Sequence, residues 1–412
     1  MIPFSPPRID QAILDEVCDT LRSGWITTGP KTKKFEKELA TFCGNPATLC
    51  VNSATSGLEL MLRWFGVKEG DEVILPAYTY SATANVVMHC GATPVFVDVN
   101  DDFNISTEQI RKAITVRTKV IMPVDFGGWV CDYDLINALV NELQVKVLFQ
   151  ASTPEQQILG RILILSDAAH SLGAIYKGRN TGTLADISVF SFHAVKNLTT
   201  AEGGAVALNL PAPFNNQEIY QKLCVTILHG QDKDALSKSQ AGNWRYDIVE
   251  AGYKMNMTDI LASIGLVELR RYRDDTLKRR EEICLKYSEG LAKHDWAELP
   301  VQTMGSGVET SRSCWHLFPL RIRGISEATR DEIIRRISSR EVSVNVHFIP
   351  VPMTSYYRSL GYDIRNYPKT FSLYEREISL PVYYHLTNEQ IETVLHAVIG
   401  SVEEVLNTAQ IR

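Results

Sequence analysis

From residue 72 to residue 166 short apolar runs alternate with amphipathic stretches, and this alternation restricts the fold more than any other feature of the chain. The runs Val73–Leu75, Pro94–Val97, Lys119–Val124 and Ile162–Leu165 read as strands. Between them Ala82–His89, Thr107–Ala113 and Tyr133–Leu143 carry apolar residues at helical spacing. Strands that are apolar along their whole length need cover on both faces, which is the pattern of a mostly parallel sheet with helices on either side. Thr48–Val51 before this region, and Ile187–Phe192 and Ala205–Leu208 after it, bring the sheet to seven strands. Sheets of this kind bind ligands outside the carboxyl ends of their strands.

A chain of 412 residues is long for a single core. Near residue 266 the pattern changes to a strand at Trp315–Ile322, a helix at 326–337, a strand at Val342–His347 and a helix at 387–407. We therefore expect a large α/β domain over residues 1–265, including N-terminal helices at 9–22 and Phe35–Phe42, and a smaller C-terminal α/β domain over 266–412. The net charge of −6 argues against a nucleic-acid partner, which a basic surplus would announce. No apolar stretch reaches the roughly 18 residues of a membrane span. The opening Met1-Ile-Pro-Phe-Ser-Pro-Pro-Arg lacks the charged and apolar regions of a secretory signal. The eight cysteines are scattered without metal spacing, as in a cytoplasmic protein with reduced thiols and no metal centre.

The stretch from Asp186 to Leu208 places Lys196 in a polar turn between two apolar runs, with Gly203-Gly204 just before the second. A hairpin with a solvated lysine is one reading, since most lysines are exposed. The other is a lysine held in a loop for chemistry. Asp167, at the end of the run Ile162–Leu165 and 29 residues before Lys196, favours the second. A strand-end aspartate followed by a loop lysine is the pair that pyridoxal 5'-phosphate needs. The lysine attaches the cofactor, and the carboxylate keeps the pyridine nitrogen protonated so that the ring withdraws electrons. Upstream, Asn52-Ser-Ala-Thr-Ser-Gly57 joins a short strand to a helix at Leu58–Phe65. Small residues at a helix N-terminus suit a phosphate, and the same Ser and Thr also serve as ordinary caps.

The blocks Asp-Ala-Ala-His at 167–170, Ser-Phe-His-x-x-Lys-Asn at 191–197 and Glu-Gly-Gly at 202–204 together resemble the signature of the DegT/StrS-type nucleotide-sugar aminotransferases. The similarity runs from Pro3 to about Val398, and is greatest to members acting on UDP- or GDP-linked 4-keto sugars. It implies a fold-type I architecture, pyridoxal 5'-phosphate as cofactor, and amino transfer, with glutamate as the donor, to a keto carbon of a nucleotide-linked deoxysugar for surface polysaccharide. It assigns catalysis to Lys196, Asp167 and His170, and the cofactor phosphate to Thr55, Ser56 and Ser191. Tyr80 would stack on the pyridine ring. Asn256 would reach across a homodimer to the partner's phosphate, giving shared active sites. Thr28, His229, His316 and His347 would face substrate. Dehydratases on the same fold carry histidine in place of the lysine, so Lys196 argues against that chemistry. A regulatory or sensory protein that binds the cofactor without turnover would not need the full set of Asp167, His170, Ser191 and Lys196.

One stretch departs from the family pattern. Between the helix ending near Leu143 and the strand at Ile162, residues 144–161 add roughly a dozen more than a compact connection needs. Lys146–Phe149 is a candidate for the expected strand, with 151–161 as an excursion. A second polar stretch, Gln231–Asn243, reads as a mobile loop, and a single long helix is expected from Thr258, capped by Thr258 and Asp259, to about Gly290.

Overall fold

The computed structural model describes residues 1–232 and 245–410, so most of the polar stretch Gln231–Asn243 lies outside the described residues. Its strands, in chain order, are β1 (Ala47–Val51), β2 (Glu72–Pro76), β3 (Thr93–Val97), β4 (Thr118–Ile121), β5 (Leu163–Asp167), the two-residue β6 (Ile175–Tyr176) and β7 (Arg179–Asn180), β8 (Ile187–Ser191) and β9 (Gly204–Leu208). Seven of them form one sheet in the order β1-β9-β8-β5-β4-β2-β3. Only β9 runs against its neighbours; the remaining pairings, β8 with β5, β5 with β4, β4 with β2 and β2 with β3, are parallel. The sheet is buried on both faces, as its unbroken apolar runs require. One face, with Leu75, Val120 and Leu165, packs on the helix Ala54–Trp64 through Leu58 and Met61. The other face, with Ile74, Ile121 and Ile164, belongs to an apolar cluster that continues without a break to Val394 and Val398 in the last helix.

The C-terminal part is built on a three-stranded antiparallel sheet, Ala297–Glu298, Phe318–Ile322 and Glu377–Leu380, flanked by the helices Glu327–Ser339 and Asn388–Gln410. The helix Asp259–Arg271 packs on Gln11–Arg22 and Pro30–Cys43, closely enough that a β-carbon on Gly265 would sit 2.5 Å from the Phe35 ring. After a π-helical turn at Tyr272–Thr276 the chain continues as Leu277–Leu291 and packs on Asn388–Gln410 instead.

Four local expectations need correction. Lys146–Phe149 is not a strand: the predicted helix stops at Asn141, and a second one, Leu143–Leu148, follows it. The β-branched residues there mimic a strand, but the place beside β4 is taken by β5. Residues 151–161 are not a bare loop either. They contain the helix Pro154–Leu159, capped by Thr153 at one end and by Gly160 in the left-handed region (φ 64°) at the other. Gln156 anchors it from within: its amide nitrogen donates to the Phe65 carbonyl at 2.8 Å. Val342–His347 is not a strand; only isolated bridges at Val342 and Asn345 are made, and the strand expected from Trp315 begins at Phe318, after Trp315 adopts φ 50°. Finally, Asp259 does not cap its own helix. Its buried carboxylate accepts from the N–H groups of Gly29, Lys31 and Thr32 at 2.8–3.0 Å, and so caps the helix Pro30–Cys43 from another part of the chain.

Candidate active site

The carboxyl ends of β2, β5 and β8 open on one cavity of ≈390 Å³. β5 delivers Asp167 and the turn holding His170. β2 runs into the loop with Thr79 and Tyr80. β8 ends at Ser191, and the connection from there to the antiparallel β9 carries Lys196. The N-terminus of Ala54–Trp64 closes one side, and His316, His347 and Phe348 of the C-terminal part close the other.

Asp167 is buried, and its two oxygens have few partners. Oδ2 accepts from Thr83 Oγ1 at 2.7 Å and Oδ1 from the Ala169 N–H at 3.2 Å. Burial pushes its carboxyl up, an effect that these bonds and the nearby Lys196 oppose. Lys196 Nζ has no hydrogen-bond or ion-pair partner among the described residues. Burial in the cavity brings its ammonium down to about 8, partly countered by the attraction of Asp167. A lysine with no partner, close to neutral, is an amine available as nucleophile or base.

Three imidazoles face this lysine, and all are neutral. Burial, and then the neighbouring positive charges, hold His170 and His316 well below the ordinary histidine range and bring His347 to about 3. Their tautomers follow from their partners. His170 Nδ1 accepts from the Gly127 N–H at 3.3 Å, which puts the ring hydrogen on Nε2. Asn197 donates its amide to the Cys314 carbonyl at 2.7 Å, so its oxygen, 2.8 Å from His316 Nδ1, accepts from a ring N–H. Asn197, next to Lys196 in the chain, thus ties the lysine loop to the segment 314–316. Buried Arg280 holds that segment from behind, donating to the carbonyls of Trp315 and His316 at 2.8 and 2.7 Å.

The opposite end of the cavity suits an anion. Ser53 caps the helix Ala54–Trp64 by accepting from the Ser56 N–H at 3.1 Å. The N–H groups of Ala54 and Thr55 find no acceptor among the described residues, and the positive end of the helix dipole lies behind them. Thr55 and Ser191 complete this end of the lining. Gly204 makes it possible: a β-carbon there would lie 2.5 Å from Ala54 N and 2.6 Å from Ser53 C.

The structure brings Thr55, Tyr80, Asp167, His170, Ser191, Lys196, His316 and His347 to this cavity, Tyr80 at the mouth with 61% of its surface exposed. Four predicted residues do not line it. Ser56 bonds Ser53 Oγ at 2.9 Å. Thr28 and Asn256 engage each other: the Asn256 amide donates to Thr28 Oγ1 at 2.6 Å, and Thr28 in turn donates to the Met257 carbonyl. His229 takes φ 65° after the helix Asn216–Thr226 and pairs its N–H with the Tyr253 carbonyl at 2.8 Å. Sequence reasoning missed Thr83, Asn197, Phe4 and Phe348. Asn197 was visible in the block around Lys196. Thr83 had a weaker signal, a second threonine four residues after Thr79, and the two hydroxyls meet at 2.8 Å. Among the described residues no group of side chains is arranged to hold a metal, and no helix is long and apolar enough to cross a membrane.

The chain matches the model of the DegT/DnrJ/EryC1/StrS aminotransferase family over residues 7–154 and 160–399. The break coincides with the helix Pro154–Leu159. It is 37% identical to the spore coat polysaccharide biosynthesis protein SpsC of Bacillus subtilis, over 96% of each chain. Among solved structures it is similar to Spr1654 of Streptococcus pneumoniae, assigned as a sugar aminotransferase and solved in PMP- and PLP-forms; the PMP-form has a TM-score of 0.92 and 45% identity, with 98% of this chain and 100% of that one covered. It is also similar to PseC of Helicobacter pylori, an aminotransferase of pseudoaminic acid biosynthesis, with a TM-score of 0.84 and 27% identity over 98% and 99% of the two chains.

Proposed function

Because this chain belongs to the DegT/DnrJ/EryC1/StrS aminotransferase family, and is therefore an aminotransferase on the fold-type I architecture, we propose that it uses pyridoxal 5'-phosphate to move an amino group from L-glutamate to a keto carbon of a nucleotide-linked deoxysugar, in the making of a surface polysaccharide. The observation that carries this reading is the meeting of unpartnered Lys196, buried Asp167 and the open helix N-terminus at Ala54 in one cavity. The donor set fits the cofactor: an amine for covalent attachment, a carboxylate with acceptor capacity to spare, and unused N–H groups at the far end for a phosphate. When bound, the cofactor supplies an electron-poor ring that stabilises negative charge on the carbon bearing the amino group.

The protein's own part is to bind, orient and move protons. Lys196 would anchor the cofactor and, as a free amine, would carry a proton to and from the reacting carbon; in the cofactor-free protein burial already lowers its ammonium to about 8. Asp167, steadied by Thr83, would accept from the ring nitrogen and so keep it protonated. His170, neutral and carrying its hydrogen on Nε2, offers a donor along the ring. Thr55, Ser191 and the N–H groups of Ala54 and Thr55 bind the phosphate, and Tyr80 covers the mouth. His316 and His347 meet the sugar. The pattern change near residue 266, the homodimer with shared sites and the cytoplasmic setting remain part of this reading. Asn256 would have to release Thr28 to reach a partner's phosphate.

The test is a pair of half-reactions. Enzyme loaded with cofactor should lose its long-wavelength absorbance on adding glutamate and regain it on adding one of a panel of UDP-, GDP- and dTDP-linked 3-keto and 4-keto sugars. Bleaching without recovery on any sugar would refute the sugar assignment, and no bleaching would refute glutamate as the donor.

A further inference from the structure

His347 is held more firmly than a surface histidine of a binding pocket needs. Its ring Nδ1 lies 2.9 Å from Ser379 Oγ, and the Ser379 hydroxyl is hydrogen-bonded in turn to Glu377 Oε1. Glu377 returns to the same residue, its Oε2 accepting from the His347 N–H at 3.0 Å. The Tyr78 hydroxyl donates to the His347 carbonyl at 2.6 Å, and Phe4 stacks on the ring with centroids 5.5 Å apart. Nε2 is the ring nitrogen with no hydrogen-bond partner among the described residues, and His347 lines the cavity.

Neither Glu377 nor Ser379 lines the cavity; both are fully buried in the strand Glu377–Leu380. Spaced two apart, they share a strand face, while Ile378 and Leu380 fill the apolar core on the other. Among the described residues the Glu377 carboxylate has no ion-pair partner, although the Arg330 guanidinium is close enough to influence it, and burial pushes it up to about 8. A carboxyl group in a core without a paired cation costs stability that an apolar side chain would not. Its oxygens are spent on His347 and on the serine that holds His347.

We propose that Glu377 and Ser379 are positioning residues that fix the rotation of His347 and tie its tautomer to the protonation of Glu377, so that Nε2 alone is presented to the acceptor sugar. The hydrogens along the chain admit two orders. If the Ser379 hydroxyl donates to Glu377, Nδ1 must carry the ring hydrogen and Nε2 accepts. If Glu377 is protonated and donates a hydrogen bond to Ser379 Oγ, the serine hydroxyl turns to Nδ1 and Nε2 donates. Each order leaves one tautomer; without Ser379 the Nδ1 edge loses its partner, so neither the tautomer nor the ring's rotation is set by a hydrogen bond. The inference rests on the sugar reading above and makes His347 a contact for the second half-reaction only.

The test compares wild type, Ser379→Ala, Ser379→Thr, His347→Ala and the Ser379→Ala/His347→Ala double variant in both half-reactions, with the same panel of UDP-, GDP- and dTDP-linked 3-keto and 4-keto sugars as acceptors. Ser379→Ala should raise KM for the accepted sugar about tenfold, the scale of one lost orienting hydrogen bond, while the glutamate half-reaction keeps its wild-type rate. The hydroxyl of Ser379→Thr should restore KM. The double variant should be no worse than His347→Ala alone, since the serine acts through the histidine. A Ser379→Ala enzyme with wild-type KM, one slowed equally in both half-reactions, or additive losses in the double variant would overturn the inference alone. A wild type that exchanges with glutamate but aminates none of the sugars would overturn the sugar reading, and this inference with it.

Discussion

Replacing Asp167 by asparagine keeps the shape of the end of β5 and removes its charge. In the wild type the carboxylate has one short bond, from Thr83 Oγ1 at 2.7 Å, and one long one, from the Ala169 N–H at 3.2 Å. An asparagine oxygen retains the Thr83 bond, but its amide then points an N–H at the ring nitrogen, where an acceptor is needed. The lost interaction is a charge-assisted hydrogen bond in a water-poor site, about 1.5–3 kcal/mol. The loss falls on the reacting state, because the ring takes up charge only while its nitrogen stays protonated. The glutamate half-reaction should slow by about a hundredfold or more, roughly 3 kcal/mol in the barrier. Stability should change little. Burial raises the Asp167 pKa in the fold, so above the unfolded carboxylate range the charged form destabilises the native state, and a neutral asparagine relieves it. This relief offsets the loss of the Ala169 N–H bond to Oδ1, so the cofactor-free variant should melt close to wild type, and should still link the cofactor through Lys196. Stopped-flow absorbance for the half-reaction and thermal unfolding of the cofactor-free protein give both quantities. A lowered melting temperature with near-normal half-reaction rates would refute the argument and make Asp167 a structural turn residue.

Other consequences follow from single distances. Only neutral Lys196 attacks the cofactor. With its ammonium lowered to about 8, the rate at which cofactor-free protein is loaded should rise roughly tenfold between pH 7 and 9 and then level off, whereas an ordinary lysine would still be gaining about tenfold per unit; stopped-flow loading curves decide. In Gly204→Ala the added carbon would lie 2.5 Å from Ala54 N and push back the phosphate end of the cavity, so a fluorescence titration should show cofactor affinity reduced at least about tenfold, with a lower melting temperature. Gln156→Ala removes the anchor of the helix Pro154–Leu159 and leaves the Phe65 carbonyl without the amide donor that now reaches it at 2.8 Å; denaturant unfolding should register about 1–3 kcal/mol, with kcat unchanged.

The sheet was legible because strands buried on both faces write continuous apolar runs, and each of its seven strands lies on a run visible in the sequence. Lys196, Asp167 and His170 were legible for a different reason: chemistry-bearing residues sit at the ends of those runs, where the sheet delivers its ligands. What was lost depends on contacts between distant parts of the chain. Asp259 looked like a local cap, and nothing near it in sequence indicates that its partners are Gly29, Lys31 and Thr32. Lys146–Phe149 carried strand-like residues, but the vacancy beside β4 was decided by β5. Val342–His347 looked like a strand, yet the segment is shaped by Tyr78, Glu377 and Ser379. Glu377 itself gave no signal, because a glutamate in a strand reads as an exposed position until its burial is known.

The most direct measurement is to reduce the cofactor-loaded protein with borohydride, digest it and map the modified peptide by mass spectrometry, alongside Lys196→Ala treated in the same way. The account predicts the modification on Lys196, in the peptide between β8 and β9, and none in the variant. A modification on any other lysine, or an unchanged yield in Lys196→Ala, would contradict it.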